Sequence, residues 1–190
     1  MKKILLVVSF LLLLCFVTTT SKSQGMRVGV QIGAGFPTGD WSDYVSTGMG
    51  GIGTFHYELN KKISLTGALG YYSFGSAKDV QEALGSLGDY SYSITPIVAG
   101  IRYGLGKEGE SFQPYLGGEI GMYLWSFTYK IKTSLGNAEL DESGSEFGFA
   151  PMVGFKFNIN KDVDIDINAK YSIVEDINHF VINFGVIFNI

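Results

Sequence analysis

Seven ionisable residues are the first candidates for chemistry in this sequence, because each falls on the polar face of a segment that alternates polar and apolar residues. The seven are Arg27, Arg102, Glu119, Lys156, Asp164, Asp166 and Lys170. Charges enclosed within a fold must be neutralised by neighbours. We expect Arg102 to pair with Glu119 on the adjacent strand, and the two lysines to neutralise Asp164 and Asp166. Such a network is either a structural plug or the lining of an ion pathway.

Groups suited to catalysis are few. The chain has two histidines, His56 and His179, which lie near opposite ends of the sequence, and no nucleophile is indicated beside them. The residue spacing of a zinc site is absent. The segment GVQIGAGFPTG has the composition of a nucleotide-binding loop but belongs to no βαβ unit. We therefore expect no catalytic residue, no cofactor and no metal site, and a protein that is not an enzyme.

The elements that must position these charges are strands, since polar and apolar residues alternate with a period of two. The alternation is clearest in the segments SEFGFAPMVGFKFN, DVDIDINAKYSI and HFVINFGVIFNI. Pro151 cannot donate a ladder hydrogen bond, so we expect a local irregularity there. Five earlier strands are predicted at residues 26–36, 47–57, 62–74, 91–103 and 112–130, which makes eight strands in all.

The first 23 residues have the layout of a secretory signal peptide for the Sec pathway, with Lys2 and Lys3 before a short apolar run and small residues at the end. Cleavage is expected after Ser23, which leaves one domain at residues 24–190. Cys15, the only cysteine, would be removed with this segment. The remaining 11 basic and 18 acidic residues give a net charge of −7, which argues against a nucleic-acid partner.

The connections between the predicted strands alternate in length. Those at 58–61, 104–111 and 158–161 are shorter than most of those near 37–46, 75–90 and 131–145, and the last connection, near 175–178, breaks the trend. Short turns at one end and longer loops at the other are typical of outer-membrane barrels. With eight strands, both chain ends would emerge at the short-turn end.

The apolar face of the strands is bulky, as in the ladder from Phe147 to Phe157, whereas the opposite face carries glycine and a few charges. A narrow lumen favours small residues and paired ions, and lipid favours bulk. Aromatic residues near strand ends are candidates for interfacial girdles: Tyr57, Tyr71, Tyr90, Tyr103 and Trp125. From Gln24 onward the chain has no long apolar run. The predicted fold is all-β, an eight-stranded antiparallel transmembrane up-and-down barrel.

The last eight residues resemble the assembly signal of outer-membrane barrels, with Asn183, Gly185 and Phe188 at matching positions and Ile190 where a terminal Phe is usual. With the leader and the segments TPIVAGIRYGLG and PYLGGEIGMYLW, the chain resembles small porin-like barrels of the OmpA/OmpX type. This resemblance implies a bacterial outer-membrane location and contact with outer-membrane lipid and lipopolysaccharide. It also implies handling by the barrel-assembly machinery, and we expect no peptidoglycan-binding domain after the barrel.

Four functions are compatible with this sequence. The leading hypothesis is a non-enzymatic surface barrel with a largely filled lumen, whose outward loops contact partners. A narrow porin-like channel, a lipid-modifying enzyme and a soluble ligand-carrying barrel are the alternatives. The acidic residues Asp141, Glu142 and Glu146 either attract calcium, bridge to lipopolysaccharide through cations, or belong to a solvated loop.

Overall fold

The computed structural model describes residues 25–77, 88–106, 110–133 and 136–190, so the predicted signal peptide at 1–23 lies outside the described part of the chain. Eight strands follow one another: β1 Met26–Pro37, β2 Val45–Glu58, β3 Ile63–Ser76, β4 Gly88–Gly104, β5 Phe112–Thr133, β6 Gly136–Asn158, β7 Val163–Val174 and β8 His179–Asn189. A short 3-10 helix, Gly39–Asp43, lies between β1 and β2. Among the described residues, no helix is long and apolar enough to cross a membrane.

Each strand pairs antiparallel with the next, and β1 pairs with β8 to close the barrel. Along β1, Arg27 has His56 of β2 as its partner on one side and Asn189 of β8 on the other. Closure gives every strand two neighbours, so the ladders leave no open sheet edge around the barrel. The predicted all-β, eight-stranded antiparallel barrel is confirmed.

The turns at one end of the barrel are short and repeat one device. The side-chain carbonyl oxygen of Asn60 accepts hydrogen bonds from the backbone amides of Lys62 and Ile63, each at 2.9 Å. Between β6 and β7, the side-chain carbonyl oxygen of Asn160 accepts hydrogen bonds from the backbone amides of Asp162 and Val163 in the same way, with donor to acceptor distances of 2.8 and 2.9 Å. Asparagine side chains commonly fix tight turns in this way. Both turns lie at the end of the barrel where the described chain begins and ends.

Along each strand, side chains alternate between an exposed, apolar outer face and an enclosed inner face. Val30 is 66% exposed, Phe147 65% and Val153 50%, although all three are apolar and lie within strands. On β7, the inward positions include Asp166 at 0% and Asn168 at 3% exposure. The ladder from Phe147 to Phe157 therefore faces outward, as the sequence predicts.

Two prolines interrupt the ladders without shifting their register. Between β6 and β7 the partners pass from Phe149↔Ile173 directly to Met152↔Lys170, so the interruption falls at Pro151. Between β3 and β4 they pass from Leu69↔Ile97 to Tyr72↔Ile94, across Pro96. Proline lacks the amide proton that a ladder needs. The irregularity expected at Pro151 is present, and Pro96 produces a second one that the sequence analysis missed.

Strands β5 and β6 continue beyond the end of β7, and with the first residues of β4 they form a protruding sheet from residues 88–93, 124–133 and 136–147. Pairing between β5 and β6 runs as far as Thr133↔Gly136. The loop expected at 131–145 is therefore mostly strand. The segment NAELDESGSE has no sustained alternation of apolar residues and so predicted no strand, whereas backbone pairing needs no apolar side chain.

The protruding sheet has the opposite polarity to the barrel wall. Its outer face is polar and carries Ser91, Ser93, Ser126, Thr128, Asp141, Ser143 and Ser145. Its inner face is aromatic, and Trp125 stacks there on Tyr92 with ring centroids 6.0 Å apart. Tyr90 and Trp125 thus lie on the inner face, which corrects the prediction that they join an outer girdle. Tyr71 and Tyr103 do face outward, with 56% and 45% exposure.

On the outer face, a charge introduced within the apolar band should destabilise the barrel more than a charge introduced above it, where the outer face is polar. Val153→Arg places a cation midway along the outward ladder and should destabilise the folded barrel in lipid vesicles by about 2–4 kcal/mol. Ser145→Arg lies on the same strand and face but above the ladder, and it should cost at most about 1 kcal/mol. Urea unfolding in vesicles measures both. Equal costs would place the lipid boundary elsewhere.

Candidate functional site

The barrel interior at the short-turn end holds a cluster of four ions. Arg27 bonds to Asp164 through Nη1 and lies 3.1 Å from a Glu58 oxygen through Nη2. Lys156 Nζ lies 3.8 Å from Asp164 and 4.0 Å from Glu58. Two cations thus share two carboxylates, and the cluster is neutral as a whole. Arg27 and Lys156 keep 19% and 20% side-chain exposure, so water reaches this end of the lumen.

The next layer is organised around Asp166, which is completely buried. Arg102 donates to it from Nη1 at 3.1 Å, Tyr115 from its hydroxyl at 2.8 Å and Asn168 from its amide at 3.1 Å, and Gln31 is a fourth donor. Arg102 also lies 4.6 Å from the centroid of the Tyr115 ring. Arg102 lies on β4, three strands away from β7 in the closed order, so its bond to Asp166 crosses the lumen.

A second buried ion pair joins Lys170 Nζ to Glu119 at 2.9 Å, with both side chains 4% exposed. Above it, the Tyr72 hydroxyl donates to Asn183 at 2.6 Å, and the Asn183 amide donates to Asn168 at 3.1 Å. Buried charges are tolerated when they are paired and hydrogen-bonded in this way. The middle of the lumen is therefore occupied by a continuous polar network.

The structure brings all seven predicted ions into the interior, but it pairs them differently from the expectation. Arg102 meets Asp166 across the lumen, and Glu119 meets Lys170. The register explains the difference: Glu119 is the partner of Gly100, so Arg102 lies two residues further toward the short turns. Adjacency of two strands does not fix how far a long side chain reaches across a narrow barrel. Lys156 does approach Asp164, as expected.

The half of the lumen away from the short turns, which we call the outward half, is apolar. Trp41, Val45, Tyr72, Phe74, Ile94, Val98, Tyr123, Val174, Ile177 and Val181 form one buried cluster. The 3-10 helix after β1 places Trp41 over this cluster, 5.0 Å from the Phe74 ring and 5.3 Å from the Tyr92 ring between centroids, so that only 8% of it is exposed. Trp41 thus covers the outward mouth of the barrel.

Sequence reasoning missed this apolar plug. One signal was available, because inward aromatic residues face inward glycines. A Cβ on Gly154 would come within 2.4 Å of the Tyr115 ring, and one on Gly48 would come within 2.4 Å of the Phe74 ring. Large and small residues therefore alternate across the lumen, as a filled small barrel requires.

The two histidines lie at opposite ends of the barrel. His56 is the partner of Arg27 near the start of β1, whereas His179 is the partner of Pro37 at its end. Ten residues of strand separate these positions, or about 33 Å. His56 Nε2 lies 2.9 Å from the Thr54 hydroxyl, and His179 Nδ1 lies 2.7 Å from the Ile177 carbonyl. They do not form a catalytic pair.

An open cleft enters the lumen from the short-turn end, between residues that include Arg27, His56, Glu58, Arg102, Tyr115 and Lys156. The Asp166 network and the apolar cluster lie beyond it. Within the described ranges, no group of three or more His, Cys, Asp or Glu side chains is placed to hold a metal ion.

A closed eight-stranded barrel with an apolar exterior and a lumen filled by side chains defines the class of small outer-membrane barrels. Residues 8–189 match the model of the family described as outer membrane protein beta-barrel domain, and the chain belongs to that family. It is a barrel of the bacterial outer membrane. No curated protein matches the chain in sequence.

Solved structures share the fold at low sequence identity. Ail of Yersinia pestis, solved with the heparin analogue sucrose octasulfate, has a TM-score of 0.57 and 18% identity over 88% of this chain and 97% of Ail. OprG of Pseudomonas aeruginosa has a TM-score of 0.59 and 14% identity over 89% and 97%. Neisserial surface protein A has a TM-score of 0.56 and 15% identity over 87% and 97%. These likenesses concern architecture.

The residues of the predicted assembly signal lie on β8 and at its end. Asn183 is 1% exposed and bonded within the lumen, and a Cβ on Gly185 would come within 2.2 Å of the Val30 carbonyl oxygen. Phe188 and Ile190 face outward, with 43% and 69% exposure. Their role as a signal stays a prediction.

Removing the central carboxylate should destabilise the barrel strongly. Asp166→Asn leaves Arg102 buried without its counter-ion, which should cost about 3–5 kcal/mol. Asp162→Asn removes the same charge from an exposed turn and should change stability by less than about 0.5 kcal/mol. Urea unfolding in vesicles compares the two. A cost for Asp166→Asn as small as that for Asp162→Asn would mean that the network does not hold the walls together.

Proposed function

We propose that this protein is a non-enzymatic surface barrel with a closed interior, and that it acts through its outward loops and the protruding sheet. The observation that carries the proposal is the burial of Trp41 in the outward mouth, above two buried ion pairs. An eight-stranded barrel has an interior just wide enough for side chains to fill it. Solutes entering the short-turn cleft would meet the Asp166 network and then the apolar cluster. This arrangement favours a surface role over a channel.

The net charge of the outward end limits the class of partner that the protein is expected to bind. By sequence, residues 38–44, 77–91, 124–147 and 175–178 carry eleven carboxylates and three lysines, a net charge of −8. The structure of Ail holds a polyanion, the heparin analogue sucrose octasulfate. A surface of charge −8 repels such a ligand, so we do not propose one here. Outer-membrane lipid surrounds the barrel, and the phosphates of lipopolysaccharide would approach the acidic residues through bridging cations.

Conductance tests the closed interior. The mature protein, reconstituted in a planar bilayer, should give no current steps, and Trp41→Ala alone should also be silent because the ion pairs below still fill the lumen. A large porin reconstituted in the same bilayer serves as the positive control. Steady current steps from the unaltered protein would overturn the proposal in favour of a narrow channel.

Thiol labelling on intact cells tests the direction of the loops. The chain has one cysteine, Cys15, within the segment expected to be cleaved, so engineered cysteines are free of background. Ser143→Cys in the protruding sheet should react with a membrane-impermeant maleimide on intact cells. Lys161→Cys in a short turn should react only after permeabilisation. The reverse pattern would turn the protruding sheet toward the periplasm and remove its surface role.

A further inference from the structure

The inner face of the protruding sheet carries a set of aromatic side chains that we name the aromatic platform: Tyr90, Tyr92, Trp125, Phe127 and Tyr129. Register places Tyr92 beside Phe127 and Tyr90 beside Tyr129. Ring centroids are 5.7 Å apart for Tyr90 and Phe127 and 6.5 Å apart for Tyr92 and Phe127. All five side chains are half-buried. Tyr92 and Trp125 also pack against the apolar cluster beneath Trp41. Aromatic side chains that stay partly exposed above the lipid boundary are typical of binding surfaces.

Carboxylates border the platform. Glu142 is the direct cross-strand partner of Phe127, and Glu146 is the partner of Tyr123 at the foot of the platform. Burial raises the pKa of Tyr92 above its usual range, and the charges of Asp176, Glu146 and Glu142 raise it further. Ring faces and carboxylates attract the same kind of group, a cation, the former through the ring quadrupole and the latter through charge.

We infer that the aromatic platform binds a cationic peptide segment of a partner, with arginine or lysine side chains over the rings and their charges facing Glu142 and Glu146. The inference rests on the proposed surface function and names the chemistry of the partner. The net charge of −8 at this end would draw such a segment in, and the rings would then hold it. Arginine suits the site best because its planar guanidinium stacks on aromatic faces while donating to carboxylates.

The test measures binding of a fluorescein-labelled octa-arginine peptide to the mature protein in phosphatidylcholine nanodiscs at about 0.1 M salt, by fluorescence anisotropy. Empty nanodiscs give the blank. We expect saturable binding to the protein alone. Phe127→Ala should weaken it about 2- to 5-fold, the loss expected for one exposed cation–π contact. Glu142→Gln should weaken it by a similar factor.

Neighbours on the opposite face of the same strands provide matched controls. Ser126→Ala lies next to Phe127, and Asp141→Asn removes the same unit of charge as Glu142→Gln from the polar face. Both controls should bind the peptide as the unaltered protein does. If Asp141→Asn and Glu142→Gln weaken binding equally, non-specific electrostatic attraction of the peptide to the acidic end explains the result, and the proposed site is overturned. Binding no stronger than to empty nanodiscs overturns it as well.

Two further measurements would identify other occupants of the platform. Peptide binding that appears only when residues 79–86 are replaced by glycine and serine would assign the platform to this chain itself. Self-association of the protein that Phe127→Ala abolishes would assign it to a second copy. Either result overturns the inference. Conductance and thiol labelling are unaffected by these outcomes, so failure here is distinguishable from failure of the proposed surface function.

Discussion

Pairing of β1 with β8 is the interaction on which the rest of the structure depends. Hydrocarbon offers no hydrogen bonds to the backbone, so a sheet can lie in lipid only when it has no edge. Closing eight strands fixes a lumen that side chains must fill. Closure therefore accounts for the inward glycines, the paired ions and the aromatic residues that occupy the interior, and it brings the first and last strands of the domain together.

The filling of the lumen changes in character along the barrel axis. Ions that retain some water lie at the short-turn end, a fully buried hydrogen-bonded network centred on Asp166 lies in the middle, and an apolar cluster under Trp41 lies at the outward end. In the first two layers the charges are paired, and in the third aromatic rings pack against glycines. This filling of the lumen is the basis for proposing a surface role over a channel.

The polarity of the outer and inner faces of the strands also reverses along the barrel axis. Within the lipid-facing band the bulky residues point outward, and above it they point inward to form the aromatic platform, while serine, threonine and aspartate take the outer face. The same two-residue period continues through the switch, so the solvent around the strand changes while its geometry does not. The proposed binding of a cationic segment rests on the acidic charge of this end and on the aromatic platform.

The alternation of residues by itself determined the eight strands, their inward and outward faces and the seven enclosed ions, because a period of two assigns each side chain to a face. Three features depended on tertiary structure. Arg102 pairs with Asp166 because register and barrel width, which no single strand encodes, decide which long side chains meet. Trp41 reaches the mouth through a loop without periodicity, and the protruding sheet extends through a polar segment whose backbone pairs with β5. The local sequence pattern assigns each side chain to a face of the strand, whereas distances across the closed barrel determine which inward side chains pair.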